Sequence, residues 1–209
     1  MANTILIVAN GEHIPPQKSK EIASTADLII AADGGAEYCR ENSIKFDYLI
    51  GDLDSLDDEF LTNIPSTKII HNSDQNFTDM QKALAFCDNK APVKIKIINS
   101  LGLRIDHSMI NLLIFNSYRK PQILEIFDNF GHLRILLPGE HTLSFRKGQI
   151  ISLFALIPVN NLTLAGFLYP VSQQSFQQPF IGISNKTSEE KVKISFTSGK
   201  LFLYEFYHK

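Results

Sequence analysis

Little in this 209-residue chain points to a membrane, a disulfide framework or a nucleic-acid partner. Its apolar runs are short. Ile5-Leu6-Ile7-Val8 falls far below the roughly 20 residues that a bilayer-spanning helix needs. Met1-Ala2-Asn3-Thr4 carries no basic segment of the kind that opens a signal peptide. Only two cysteines occur, Cys39 and Cys87, far apart and without C-x-x-C spacing. They are expected as free thiols in a reducing cytoplasm, not as a disulfide or metal pair. Twenty basic and 22 acidic residues leave a net charge of -2, too small a field to argue for nucleic acid or a membrane surface. Two familiar nucleotide-binding loops are missing as well: there is no G-x-x-x-x-G-K-[ST] and no G-x-G-x-x-G. A nucleotide here would have to be held by metal, arginine and backbone contacts. The histidines lack zinc-ligand spacing, and His107 has no serine elbow or cysteine beside it.

What is present is an ordinary globular composition, 44% hydrophobic, on a chain long enough for one or two domains. Its character changes partway along. Through about residue 128, short apolar runs alternate with helical patterns, which argues for parallel βαβ units. Strands are expected at Thr4 to Val8, Leu28 to Ala32, Asp47 to Ile50, Thr67 to Ile70, Lys94 to Ile98 and Gln122 to Phe127. Helices are expected from Ala36 to about Asn42, Phe77 to Cys87 and Ser108 to Tyr118. In the second of these, Met80, Ala83, Leu84 and Cys87 fall at i, i+3, i+4, i+7. Asn10 to Pro16 reads as a polar loop.

Beyond Asn129-Phe130-Gly131 the helical signal stops. Gln149 to Ile157, Asn161 to Tyr169, Val192 to Phe196 and Leu201 to Tyr207 read as strands. Turn signals at Pro138-Gly139, Pro158, Pro170 and Ser198-Gly199 separate them. The Gln-rich Ser172 to Gln178 reads as a loop. The expected fold is α/β: a Rossmann-like parallel sheet with flanking helices over residues 1–130, then an all-β sandwich over residues 131–209.

Four polar clusters lie near strand ends in the first part, where open α/β sheets bind ligands. Asp33-Gly34-Gly35 would let backbone N–H groups approach a phosphate at a helix N-terminus, or be a plain strand-to-helix turn. In Gly51-Asp52-Leu53-Asp54-Ser55, two carboxylates one residue apart follow an apolar strand. They suit a hard cation beside phosphate, or belong to a solvated loop capping a helix at Asp57-Asp58-Glu59; the spacing does not fit an EF-hand. Asp74-Gln75-Asn76-Phe77-Thr78-Asp79, with Lys82, offers a further metal carboxylate or base and a lysine facing phosphate, on a helix face opposite Met80 and Leu84. The bland alternative is an acid favoured by the helix dipole. In Gly102-Leu103-Arg104-Ile105-Asp106-His107, the arginine fork can clamp phosphate oxygens while Asp106 and His107 orient a nucleotide or cap the helix.

In this order the motifs resemble the thiamine pyrophosphokinase family: Ala32 to Ala36, Gly51 to Leu56, Asp74 to Asp79 and Arg104 to His107. Gly182-Ile183-Ser184-Asn185 resembles that family's thiamine-domain signature, and Ser198 to Leu201 its closing hairpin. The resemblance implies an α/β catalytic domain followed by a β-sandwich thiamine-binding domain. It implies transfer of pyrophosphate from ATP to the thiamine hydroxyl, giving thiamine diphosphate and AMP, with Mg²⁺, in a homodimer with active sites between subunits. By match to the motifs, Asp52, Asp54 and Asp79 would be metal carboxylates. Asp33, Gly34, Lys82, Arg104, Asp106 and His107 would line the ATP side, and Gln75, Ser184 and Asn185 the thiamine side. Arg104 would stabilise charge on the triphosphate, and Asp79 or Asp54 would accept the hydroxyl proton. Two positions depart from the family pattern: Asn76, where D-x-D-x-T-D has Asp, and Leu103, in a usually glycine-rich stretch. A diphosphokinase for another hydroxymethyl heterocycle, such as a pterin, and a non-catalytic nucleotide- or thiamine-binding protein are the alternatives.

Overall fold

The computed structural model describes residues 3–207. Its chain is mixed α/β, with a large sheet and a separate antiparallel, sandwich-like part. It divides into two compact units. One runs up to Phe115 and includes Ile123–Asn129; the other takes Asn116–Gln122 and everything from Phe130 onward.

In the first unit the order is β1 (Thr4–Val8), α1 (Pro16–Ala23), β2 (Leu28–Ala32), α2 (Gly35–Glu41), β3 (Tyr48–Gly51) and α3 (Asp58–Thr62). Next come β4 (Ile69–His71), α4 (Asp79–Asp88), β5 (Lys94–Ile98), α5 (Ile105–Ser117) and β6 (Leu124–Phe127). The strands are all parallel, in the order β6-β5-β1-β2-β3-β4. Ile5, Leu6, Ile7 and Val8 are completely buried, as expected of a parallel strand covered on both faces. Each such side chain contributes about 1.5–3 kcal/mol of burial. The chain order reverses at β1, whose two neighbours are β2 and β5. Val8 pairs with both Ala31 and Ile98, and Ala32 pairs with Ile50. The carboxyl ends of four strands therefore finish level, and the residues that follow them meet.

Helix α4 begins one residue after Thr78, whose hydroxyl accepts from the Gln81 amide while the Gln81 side chain accepts from the Thr78 amide. This reciprocal cap places Asp79 at the first helical position. Met80, Ala83, Leu84 and Cys87 are all buried, as their spacing required. Helix α1 follows the loop expected at Asn10 to Pro16, over residues with little apolar pattern for which the sequence suggested no element. Proline at its first turn and two buried residues, Ser19 and Ile22, are its only local marks. The Tyr38 hydroxyl ties it down, lying 2.8 Å from both the Ile14 carbonyl and Ser19 Oγ.

The second unit contains β7 (Gly131–Leu136), β8 (Gly139–Ser144), β9 (Ile150–Phe154) and β10 (Val159–Ala165). They are followed by β11 (Val171–Phe176), β12 (Ile181–Lys186), β13 (Lys191–Phe196) and β14 (Leu201–Phe206). Within it, strands run antiparallel in two sets, β12-β9-β14-β7 and β11-β10-β13-β8. Alternate residues, such as Ile151, Leu153, Val192, Ile194, Leu201 and Leu203, fill one core between them. Strand β11 corrects the loop expected at Ser172 to Gln178. It is an edge strand with an exposed polar middle, held by backbone pairing to β10, so it carries no apolar alternation to read. Among the described residues, no helix is long and apolar enough to cross a membrane.

Candidate active site

A cavity of about 470 Å³ opens at the level strand ends of the first unit. Asn10 and Gly11 follow β1, Asp33 follows β2, and Asn99 and Ser100 follow β5; Asp79, Arg104, Asp106 and His107 complete its polar wall. Crevices at the point where strand order reverses are where such sheets place ligands.

The acidic residues are brought to one place by backbone turns. Asp33 (φ 44°) and Leu53 (φ 66°) both adopt the left-handed conformation, which turns the chain sharply out of β2 and after β3. One oxygen from each of Asp33, Asp52 and Asp54 then lies within 4.8 Å of the others. Gly51 makes room for this. A Cβ there would sit 3.0 Å from Asp33 Cβ and 3.3 Å from Asp79 Oδ1. Ser55 Oγ donates to Asp33 Oδ2, and Gln75 Nε2 donates to Asp52 Oδ2 at 2.8 Å. Asp33 Oδ1 is buried and finds no hydrogen-bond partner among the described residues. Oxygen-only donors around an orphaned carboxylate oxygen fit a hard divalent cation.

The electrostatics agree with crowding of like charge. The Asp54 carboxyl is raised above its ordinary value, first by the charge of Asp52 and further by Asp33 and Asp79. Asp52 is lowered, chiefly by the hydrogen bond from Gln75. Asp79 is raised by burial, against the hydrogen bond and charge of Lys82.

The expected site residues do not all sit as the sequence suggested. Asp33, read as an ATP-side residue, joins Asp52 and Asp54, whereas Asp79 turns Oδ1 to Lys82 at 3.1 Å. Lys82 was expected on an open helix face toward phosphate; its side chain is only 3% exposed. A Cβ on Gly34 or Gly35 would collide with the Asn10 side chain or the Val8 carbonyl. These glycines thus serve close packing of α2 on β1. Arg104 and Asp106 pair side-on, Arg104 Nε donating to Asp106 Oδ1 at 3.1 Å, at the largely exposed start of α5. The arginine holds the Asp106 carboxyl down to about 2. Gly102 (φ 79°) and Leu103 (φ 55°) are both left-handed, so the loop keeps a glycine-like path with Leu103, at about 1–2 kcal/mol of backbone cost. Asn76 donates from both its amide and its side chain to Asp74 Oδ1, a side-chain contact aspartate could not make. The sequence reading missed Ser55 and the Thr78 cap. Thr78-x-x-Gln81 is a legible capping-box pattern; nothing local marks Ser55.

In the second unit, Asn185 borders a smaller cavity of about 320 Å³ with Tyr169, Val171, Phe180 and Ile183. Its side chain accepts from the Tyr169 and Lys186 amides and donates to the Tyr169 carbonyl. Asn185 thus pins the loop that shapes this mostly apolar wall. Ser184 is left-handed, and its amide donates to Ser152 Oγ.

The model of the thiamin pyrophosphokinase catalytic domain matches residues 19–127, more than half of the chain. The chain belongs to the thiamine pyrophosphokinase family. A second family model, the vitamin B1 binding domain of the same enzymes, matches residues 140–201. Thiamine pyrophosphokinase of Bacillus subtilis is 26% identical over 212 residues, covering 96% of this chain and 97% of that one. Thiamine pyrophosphokinase 3 of rice is 26% identical, covering 88% and 79%. The crystal structure of the Bacillus subtilis thiamine pyrophosphokinase superposes with a TM-score of 0.84 at 25% identity, over 99% of this chain and all of that one. The yeast thiamin pyrophosphokinase, at 16% identity and a TM-score of 0.80, shares the fold.

Proposed function

We propose that this chain is a thiamine pyrophosphokinase, transferring the pyrophosphoryl group of ATP to the hydroxyl of thiamine and releasing thiamine diphosphate and AMP. The observation that carries the reading is the coincidence of two things. The two family models match in order along the chain, and Asp33, Asp79, Arg104, Asp106 and His107 line one cavity, with Asp52 and Asp54 grouped beside Asp33. The organisation that goes with it is a Rossmann-like catalytic domain over residues 1–130 and a thiamine-binding sandwich over residues 131–209.

The reaction is attack by a primary alcohol on the β-phosphorus, with AMP leaving. Such transfer needs positioning and neutralisation of spreading negative charge more than covalent help. Asp52 and Asp54, with Asp33 beside them, are suited to hold Mg²⁺, which when bound would neutralise phosphate oxygens and keep the reacting groups in line. Arg104 exchanges Asp106 for the triphosphate, presenting its fork to the phosphate oxygens. His107 and Asp106 border the same cavity on the nucleotide side. Gln75 fixes Asp52, and on the thiamine side Asn185 shapes an apolar wall that suits a flat heterocycle. The working enzyme is a cytoplasmic homodimer with active sites between subunits.

Asp54→Asn and Arg104→Ala test this directly in an AMP-release assay with ATP, Mg²⁺ and thiamine. Each loses a charged contact worth about 10²–10³-fold in rate, while circular dichroism stays native. Near-normal turnover in either purified variant sinks the assignment.

A further inference from the structure

Lys82 stands out as a buried charge that a surface helix does not need. Its side chain is 3% exposed, and its ammonium lies 3.1 Å from Asp79 Oδ1. An unpaired ammonium in that position would be costly, so the pair stands or falls together. The neighbourhood is acidic: the charges of Asp33 and Asp52 both bear on Asp79, and the charge of Lys82 is felt by Asp52 as well as by Asp79. The main chain on which both residues ride is fixed independently. The Thr78–Gln81 cap sets the first turn of α4, and Gly51 lets that turn come against Asp33. What the cap leaves free is the Asp79 side chain, and Lys82 takes one of its two oxygens.

We infer that Lys82 is a positioning residue: by engaging Asp79 Oδ1 from the same helical turn, it fixes the Asp79 carboxylate against the other acids of the site. This rests on the diphosphotransfer reading above and replaces the phosphate-facing role expected of Lys82 from the sequence, because Lys82 serves the acid cluster. A carboxylate shared in this way keeps one oxygen for the cavity and cannot rotate freely. A mis-set group in such chemistry costs rate more than substrate binding.

The test uses the full-length protein and three variants: Lys82→Met, which keeps the stem and removes the charge, Asp79→Asn, and the double variant. The unmodified chain is assayed first; if it releases no AMP with thiamine, the reading of the reaction fails, and the pairing is then judged from unfolding alone. Lys82→Met should lower kcat by about 10²-fold while leaving the KM for thiamine within about two-fold. It should cost much less, no more than a few-fold, when introduced into Asp79→Asn. In urea unfolding, Asp79→Asn should recover at least about ten-fold of the unfolding equilibrium constant lost in Lys82→Met. A Lys82→Met protein that is unfolded while the double variant folds is the same result in stability form. Wild-type kcat in Lys82→Met overturns the inference. So does a full additional loss in the Asp79→Asn background, which would make Lys82 act independently of Asp79.

Discussion

Replacing Gly51 by alanine asks whether the acids of the site need the spacing the fold gives them. Gly51 ends β3, and its backbone is not in the left-handed region, so alanine brings no conformational strain there. What alanine adds is one methyl group, 3.0 Å from Asp33 Cβ, 3.3 Å from Asp33 Cα and 3.3 Å from Asp79 Oδ1. Neither neighbour can retreat easily. The Asp33 amide donates to the Ile50 carbonyl at 2.9 Å, its own carbonyl accepts from Ala36, and Asp79 is held by Lys82. Overpacking of this kind costs about 1–3 kcal/mol. The lower entropy of the unfolded alanine chain returns about 0.4–1 kcal/mol. The net loss of stability is therefore modest, on the order of 1 kcal/mol. The loss of turnover is much larger, about 10²-fold, because displacing reacting or charge-holding groups by a fraction of an ångström falls on the transition state. Urea unfolding measures the first quantity and AMP release the second. Full turnover at wild-type stability would refute the claim that Asp33 and Asp79 must approach across Gly51. A protein that unfolds outright would refute the estimate of the strain.

Thr78→Ala removes the cap of α4 and should cost about 1 kcal/mol in urea unfolding, together with turnover, since Asp79 is the next residue. Arg104→Ala should let the Asp106 carboxyl rise from about 2 toward the ordinary range near 4, followed by carbon-detected NMR of the side chain. Burial pushes both Cys39 and Cys87 up to about 12, so the native state keeps two thiol protons that the unfolded chain loses from about pH 9 upward. Stability should therefore be unaffected by these groups below that range and fall as pH rises through it, by about 1.4 kcal/mol per thiol at about pH 10. Comparing the pH slope of unfolding with that of the Cys39→Ala/Cys87→Ala variant isolates this contribution.

The first unit was largely legible because its physics is local. β1 is a buried apolar run, and the Met80, Ala83, Leu84, Cys87 stripe repeats at helical spacing, so both elements fall where their patterns put them. Helix α1 and strand β11 were not, because neither carries its own pattern. The first is held by the Tyr38 hydroxyl, 19 residues from Ser19 in sequence, and the second by backbone pairing to β10, the strand just before it, with no apolar alternation of its own. The site divides in the same way. That acids lie at strand ends could be read from Gly51 to Ser55. That Asp33 joins them depends on the level ends of β2 and β3 and on the left-handed turn at Asp33 itself. Lys82 shows the limit most clearly. Its spacing put it on the helix face of Asp79, facing phosphate, but only the packed fold shows that it pairs with Asp79 and turns inward.

The central claim is tested most directly by incubating the purified protein with ATP, Mg²⁺ and thiamine and identifying both products by ³¹P NMR. The account predicts AMP and thiamine diphosphate in equal amounts, with no ADP. Release of ADP with thiamine monophosphate would contradict the site chemistry. Product formed only with another hydroxymethyl heterocycle, or thiamine and nucleotide bound without turnover, would contradict the assignment of the substrate or of the activity itself.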